Sequence, residues 1–192
     1  MIKSSGLEKV KTAVFISGKG SNLENLIKYS KKKTSPIVIK LIISNSQKSK
    51  GLKYSKQFKI KKNVINFKKK KLAEIKILKL LNENKINFIC LAGFMKILSK
   101  SFIKKFKGKI VNIHPSLLPK YKGLNTHKKV LENKEKFTGC TVHYVNSKLD
   151  SGKIILQRKV KIKKTDSIKT LSTKVLLQEH KLYPSAINKI FN

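Results

Sequence analysis

Asn112 and His114 stand two residues apart at the end of an apolar run, Ile110-Val111-Asn112-Ile113-His114, with Pro115 and Pro119 close behind. Ile110, Val111 and Ile113 favour extended chain and Gly108 punctuates the start, so the run reads as a β-strand. In an extended chain, residues two apart leave on the same face. The prolines cannot continue a strand interior, so the chain must break out into a loop. A neutral hydrogen-bond donor beside an imidazole, at a strand end before a stiff loop, suits acyl chemistry. The donor holds a developing oxyanion while the imidazole shuttles a proton. The same pair is also compatible with a histidine that only ties down the loop.

A second set lies near the start. The apolar run Thr12–Ser17 ends at Gly18 and is followed by Gly18-Lys19-Gly20-Ser21-Asn22, then by Leu23, Leu26 and Ile27 at helical spacing. Strand, glycine turn and helix start together form an anion site, because the first amides of a helix lack internal acceptors and carry the positive dipole end. Ser21 followed by Glu24 has the spacing of a capping box. Leu23 stands where a dinucleotide fingerprint needs its third glycine, so a single phosphate is the better guest than NAD. An ordinary strand-to-helix turn is the plainer alternative. Asp150, in Leu149-Asp150-Ser151-Gly152, is by type compatible with a simple turn residue.

These residues need a scaffold. The runs Ile37–Ile43, Asn63–Phe67 and Ile86–Ala92 read as strands, the last continuous and apolar as in the middle of a parallel sheet. Between them, Gly51–Lys59 and the lysine-rich stretch with Leu72, Ile75, Leu78 and Leu81 have helical spacing. Thr126–Asn133 reads as a short helix, Thr138–Val145 and Ile154–Ile162 as alternating strands. A last helix from Asp166 has Ile168, Leu171, Val175 and Leu182 on one face, with Pro184 disturbing its end. Strands alternating with helices predict an α/β fold: a Rossmann-like open, mainly parallel sheet with helices on both faces. Ligands of such sheets gather at the carboxyl ends of the strands, where Gly18, Gly93 and His114 all fall.

A chain of 192 residues fits one domain, residues 1–192, burying about 70% of its unfolded surface. Cys90 and Cys140 lie in apolar strand-like runs and read as core residues of a reducing cytoplasm. The first residues, MIKSSGLEKVK, lack an apolar signal core, and no stretch is long and apolar enough to span a bilayer. The formal charge of +37 suggests a nucleic-acid binder. Yet all 46 basic residues except Arg158 are lysines, and they are scattered along the chain. Base and phosphate readers favour the arginine fork, so a coding bias toward lysine is the preferred explanation and no specific nucleic-acid partner is expected.

The segment NIHPSLLPKYKGLNTH resembles the signature of the folate-dependent formyltransferases, in particular the branch acting on glycinamide ribonucleotide. The likeness continues in ISGKGSNLENLI, in LAGFMKILS at Leu91–Ser99 and in TVHYVNSKLDSGKIILQ at Thr141–Gln157. It implies transfer of a formyl group from 10-formyltetrahydrofolate to the primary amine of 5'-phosphoribosylglycinamide, in the cytoplasm, with no metal. Asn112 would hold the oxyanion, His114 transfer the proton, and Asp150 pair with His114, raise its pKa and order a water. The resemblance further implies that Gly20, Ser21 and Asn22 bind the ribonucleotide phosphate, with Gln178 and Glu179 across from them. Met95, Lys96, Ile97, Leu98, Asn112, Asn146, Ser147, Lys148, Leu149 and Asp150 would form the folate pocket, with Lys70 near the folate tail. Asn125 and Ser151 depart from the pattern, which more often has His and Gly there. Methionyl-tRNA formyltransferase and formyltetrahydrofolate deformylase share the chemistry; their additional domains find no counterpart expected here. A monomer or a homodimer fits equally.

Overall fold

A computed structural model describes residues 8–191. The expectation for the amino-terminal segment falls largely on residues 1–7 and lies outside the described residues. The elements run β1 (Val10–Ile16), α1 (Ser21–Ser30), β2 (Ile37–Ser44), α2 (Lys53–Gln57), β3 (Lys61–Val64), α3 (Lys70–Glu83), β4 (Phe88–Leu91), α4 (Lys100–Lys105), β5 (Lys109–His114), α5 (Thr126–Glu132), β6 (Phe137–Tyr144), β7 (Ile154–Lys161) and α6 (Ile168–Phe191). They build one seven-stranded sheet in the order β3-β2-β1-β4-β5-β6-β7. Strands β1 to β5 pair in parallel, while β6 and β7 add antiparallel. This is the expected Rossmann-like sheet, and β1 and β4 flank its topological switch point, where the strand order reverses.

Period-two alternation divides the core between the two faces. Val14 and Ile16 of β1 pack with Leu23, Leu26, Val175 and Tyr183 of α1 and α6. Ala13 and Phe15 pack on the other face with Ala73, Ile77, Leu81 and Phe102 of α3 and α4. Cys90 and Cys140 are free and buried, as read from the sequence. Burial pushes the Cys140 thiol up to about 12 and raises Cys90 as well, so neither is primed for thiolate chemistry. No helix among the described residues is long and apolar enough to cross a membrane.

Several local expectations are corrected by the tertiary structure. The inward face of α3 is Ala73, Glu74, Ile77 and Leu81, whereas Leu72 and Ile75 are 60% and 52% exposed. The helix is rotated from its apolar stripe because the Glu74 carboxylate finds the Ser99 amide and hydroxyl below it. β3 begins at Lys61, two residues early, since an edge strand can turn its lysines to water while it pairs with Leu41–Ser44. Helix α4, unforeseen, starts where the Ser99 hydroxyl accepts from the Phe102 amide at 3.0 Å. Ile168 is exposed at the first turn of α6. Pro184 lies inside α6 instead of near its end. A proline cannot donate to the carbonyl four residues back, here that of His180, and the Asn25 side-chain amide of α1 donates to it instead at 2.8 Å. That bond ties α6 to α1 beside the glycine turn.

Candidate active site

The parallel strand β5 ends with Asn112 and His114 on one face, as period two requires. Its antiparallel neighbour β6 sets His143 directly opposite Asn112 and Thr141 opposite His114. His143 donates from Nδ1 to its neighbour's carbonyl, Tyr144 O, at 2.8 Å. That leaves Nε2 as an acceptor for the Asn112 amide, 3.2 Å away. The Asn112 amide also reaches Asp150 Oδ1 at 3.4 Å.

Asp150 arrives on the β6–β7 turn. It adopts a left-handed backbone at φ 44°, a conformation Asp tolerates better than most residues. Two residues on, a Cβ on Gly152 would lie 1.7 Å from the Tyr144 carbonyl oxygen, so the close turn back onto β6 admits only glycine. Ser151, by contrast, is exposed: its hydroxyl donates to Leu149 O at 2.7 Å and accepts from Lys122 at 2.6 Å. The departure at Ser151 therefore leaves the turn intact. Asn125 is also accommodated, since it precedes α5 at φ 59°, a left-handed conformation that Asn adopts readily.

The turn brings Asp150 Oδ2 to 3.3 Å from His114 Nδ1, with both side chains nearly buried, and Oδ2 also accepts the Gly123 amide at 2.9 Å. His114 Nε2 donates to the Tyr121 carbonyl at 2.9 Å. Tyr121 holds a left-handed backbone at φ 56°. Its ring hydroxyl is pinned by donating to Glu135 at 2.8 Å and accepting from Asn133 at 2.9 Å. A strained residue so anchored fixes which imidazole nitrogen carries the permanent proton. Nε2 is committed to Tyr121, which leaves Nδ1 as the nitrogen facing the Asp150 carboxylate.

The pKa expectation is revised. Burial is the largest influence on His114 and holds its pKa below the ordinary value; the Tyr121 carbonyl and Asp150 push upward without prevailing. Burial alone would raise Asp150, but His143, the Gly123 amide and the charge of His114 together hold its carboxyl below the usual range. With the ring neutral, the Nδ1 lone pair and a carboxylate oxygen face each other as two acceptors. A proton on Nδ1 turns that contact into an ion pair.

At the ends of β1 and β2, Gly20 takes φ 78° just before α1, and a Cβ there would stand 2.6 Å from the Gly51 Cα. The Gly51 amide and Ser49 hydroxyl both donate to Gly18 O at 3.0 Å, clamping the turn. The first main-chain bond of α1 runs from Glu24 N to Gly20 O, so the amides of Ser21, Asn22 and Leu23 point out of the helix end. The capping box does not form: Ser21 lies inside the helix, and Glu24 instead accepts from Tyr54 at 2.6 Å and pairs with Lys28 at 2.7 Å. Asn22 donates to Glu179 of α6 at 2.6 Å, both residues buried. Burial raises the Glu179 pKa, and the Asn22 bond opposes it.

Comparison with known proteins accords with this geometry. A profile of the formyl transferase family matches residues 10–187. The chain belongs to the formyl transferase family. It is 42% identical over 180 residues to phosphoribosylglycinamide formyltransferase of Haemophilus influenzae, covering 92% of this chain and 85% of that one. It is 46% identical over 185 residues to the trifunctional purine biosynthetic protein adenosine-3 of Gallus gallus, covering 95% of this chain but only 18% of that protein. The solved phosphoribosylglycinamide formyltransferase of Brucella melitensis superposes with a TM-score of 0.90 at 39% identity, over 95% of this chain and 96% of that one.

The remaining residues singled out on the formyl transferase pattern fall as follows. Met95, Lys96 and Ile97 follow β4 on the switch-point side and are exposed, while Leu98 is a core residue packed with Phe102 and Phe106. Asn146, Ser147, Lys148 and Leu149 form the exposed approach to Asp150, with the Lys148 amide donating to Asn146 Oδ1 at 3.0 Å. Lys70 is the first residue of α3; the segment ahead of it packs through Phe67 edge-on against Phe94, at 5.5 Å between ring centres. Glu179 joins the glycine turn, but Gln178 points away and accepts from Arg158 of β7 at 3.5 Å. His143 and Tyr121 were not singled out from the sequence. The first is placed by strand register; the second acts through its carbonyl, a group every residue has.

Proposed function

We propose that this chain transfers the formyl group of 10-formyltetrahydrofolate to the amine of 5'-phosphoribosylglycinamide, giving N-formylglycinamide ribonucleotide in purine biosynthesis. One observation carries the reading: Asn112, His114 and Asp150 converge within hydrogen-bonding reach at the end of β5. The likeness to phosphoribosylglycinamide formyltransferases along nearly the whole chain supports the choice of acceptor. The phosphate would sit on the amides of Gly20, Ser21 and Asn22, with Glu179 behind them. The folate would lie against Met95–Leu98 and Asn146–Asp150, with Lys70 toward its tail. The work is assigned to one catalytic domain, residues 1–192, in the cytoplasm, without metal or specific nucleic acid.

The neutral substrate amine attacks the formyl carbon and forms the new C–N bond. The carbonyl π electrons move to oxygen, and Asn112 Nδ2–H donates to that oxyanion; its longer contact, to Asp150, is the one displaced. The former amine nitrogen then loses a proton toward Asp150 through an ordered water. The oxyanion lone pair re-forms the carbonyl as the old C–N bond breaks, the folate nitrogen takes that bond pair and the proton supplied by Nδ1–H of protonated His114, and tetrahydrofolate leaves. No nucleophilic side chain is required, because the acceptor is itself an amine. Incubating the purified chain with both substrates should yield equimolar tetrahydrofolate and formylated ribonucleotide by mass spectrometry. Formate release without acceptor, or formylation of methionyl-tRNA alone, would refute the assignment.

A further inference from the structure

Glu74 is one of nine acidic residues in a chain with 46 basic ones, yet among the described residues no lysine forms an ion pair with it. It lies on the inward face of α3, 6% exposed. Its carboxylate instead takes both donors of one serine: Oε1 accepts the Ser99 amide at 2.7 Å and Oε2 the Ser99 hydroxyl at 2.5 Å. The same hydroxyl accepts from Phe102 N and starts α4. A buried carboxylate spent on neutral donors is costly to desolvate, so the two short bonds must hold something in place.

What they hold is the far end of the segment after β4. At its near end, Gly93 turns at φ 73°, its carbonyl accepts Ser17 N at 3.1 Å, and the Met95 amide donates to the Ser17 hydroxyl at 2.8 Å. Among the described residues, Lys96, Ile97 and Leu98 make no loop main-chain hydrogen bond. The stretch is therefore a short bridge between two anchors, Ser17 and Glu74, with Leu98 as a plug in the core. Met95 and Ile97 stand outward from it, 62% and 58% exposed, at the carboxyl edge of the sheet.

We infer that Glu74 is a positioning residue for the folate side of the site: through Ser99 it sets the place of the Met95–Ile97 wall. This rests on the function proposed above. Releasing the anchor leaves the wall mobile, so flat-ligand binding pays an ordering cost that the native bridge has already met. The glycine turn and the Asn112–His114–Asp150 group share no hydrogen bond with Glu74 and should keep their properties.

The test is binding of tetrahydrofolate by calorimetry, alongside steady-state kinetics, for wild type, Glu74→Ala, Glu74→Gln and Ser99→Ala. Glu74→Ala should weaken tetrahydrofolate binding about tenfold or more, the scale of a lost charge-assisted bond. The KM for the ribonucleotide and the pH dependence of kcat should stay unchanged. Glu74→Gln keeps an acceptor and should recover most of the affinity. Ser99→Ala keeps the main-chain donor and should show a smaller loss that does not add fully to that of Glu74→Ala. Should Glu74→Ala fail to fold, the Gln and Ser99 variants carry the comparison. Unchanged tetrahydrofolate affinity in folded variants with lowered thermal stability would reduce Glu74 to a helix anchor and overturn the inference. Failure of the wild-type chain to bind tetrahydrofolate at all would instead remove the proposed function, and the inference with it.

Discussion

Replacing Asp150 by Asn removes one charge from the site while keeping nearly the same shape. An amide oxygen placed at Oδ2 can still accept from Gly123 N and from His114 Nδ1–H, at the 2.9 and 3.3 Å seen for the carboxylate. Its NH2 group then faces His143 Nε2, an acceptor, but also the Asn112 amide, a donor. The pocket is therefore retained and the proton chemistry altered. Across 3.3 Å a full ion pair has a Coulomb energy of about 5 kcal/mol at an effective dielectric near 20. Desolvation returns part of this, and a net loss of about 3 kcal/mol at the transition state corresponds to roughly 10²-fold in kcat. The sign follows from burial already holding the His114 pKa down while Asp150 lifts it. Without the carboxylate the imidazole is protonated only at lower pH, and the alkaline limb of the rate profile moves to lower pH. Adding His114→Ala should cost little more, because the two act as one unit. NMR titration of the His114 ring, with kcat measured across pH, tests this directly. The same ring titration in both proteins, with near-normal turnover, would leave Asp150 as a turn residue and refute the reasoning.

Gly20→Val should abolish ribonucleotide binding and lower thermal stability, since the residue must hold φ 78° and its Cβ would stand 2.6 Å from the Gly51 Cα; a native melting temperature with intact ribonucleotide affinity would contradict the close contact. His114, His127 and His180 all have pKa values lowered by burial from the ordinary 6.5. The unfolded chain then binds more protons in that window, so their contribution is fully present above about pH 6.5 and is lost as pH falls through their folded values; denaturant unfolding at pH 8 and pH 5.5 should show the lower midpoint at pH 5.5. Binding to DNA or RNA should be weak, indifferent to sequence and steeply lost with salt, as expected of scattered lysines; a tight sequence-selective complex at physiological salt would overturn that reading.

Much of this molecule was legible in local sequence because the relevant physics is local. Period two put Asn112 and His114 on one face, a glycine turn ahead of an apolar helical stripe marked the exposed amides of α1, and continuous apolar runs marked buried strands. Even the required glycine of the β6–β7 turn was visible as a turn signal beside Asp150. What stayed hidden depends on which elements meet. His143 faces Asn112 only through the antiparallel register of β5 and β6, and Tyr121 contributes a carbonyl that has no sequence signature. The direction of the His114 shift depends on burial, a property of the assembled core, which outweighs the nearby carboxylate. Glu24 abandons its local cap for Tyr54 and Lys28, and α3 turns two apolar residues outward because Glu74 finds both donors of Ser99 beneath it. Pro184 does not end α6, because the carbonyl it leaves unpaired is taken by Asn25 of another helix. Periodicity reports which way a residue faces along its own element; the identity of the partner waiting on that side is decided only when the chain has closed.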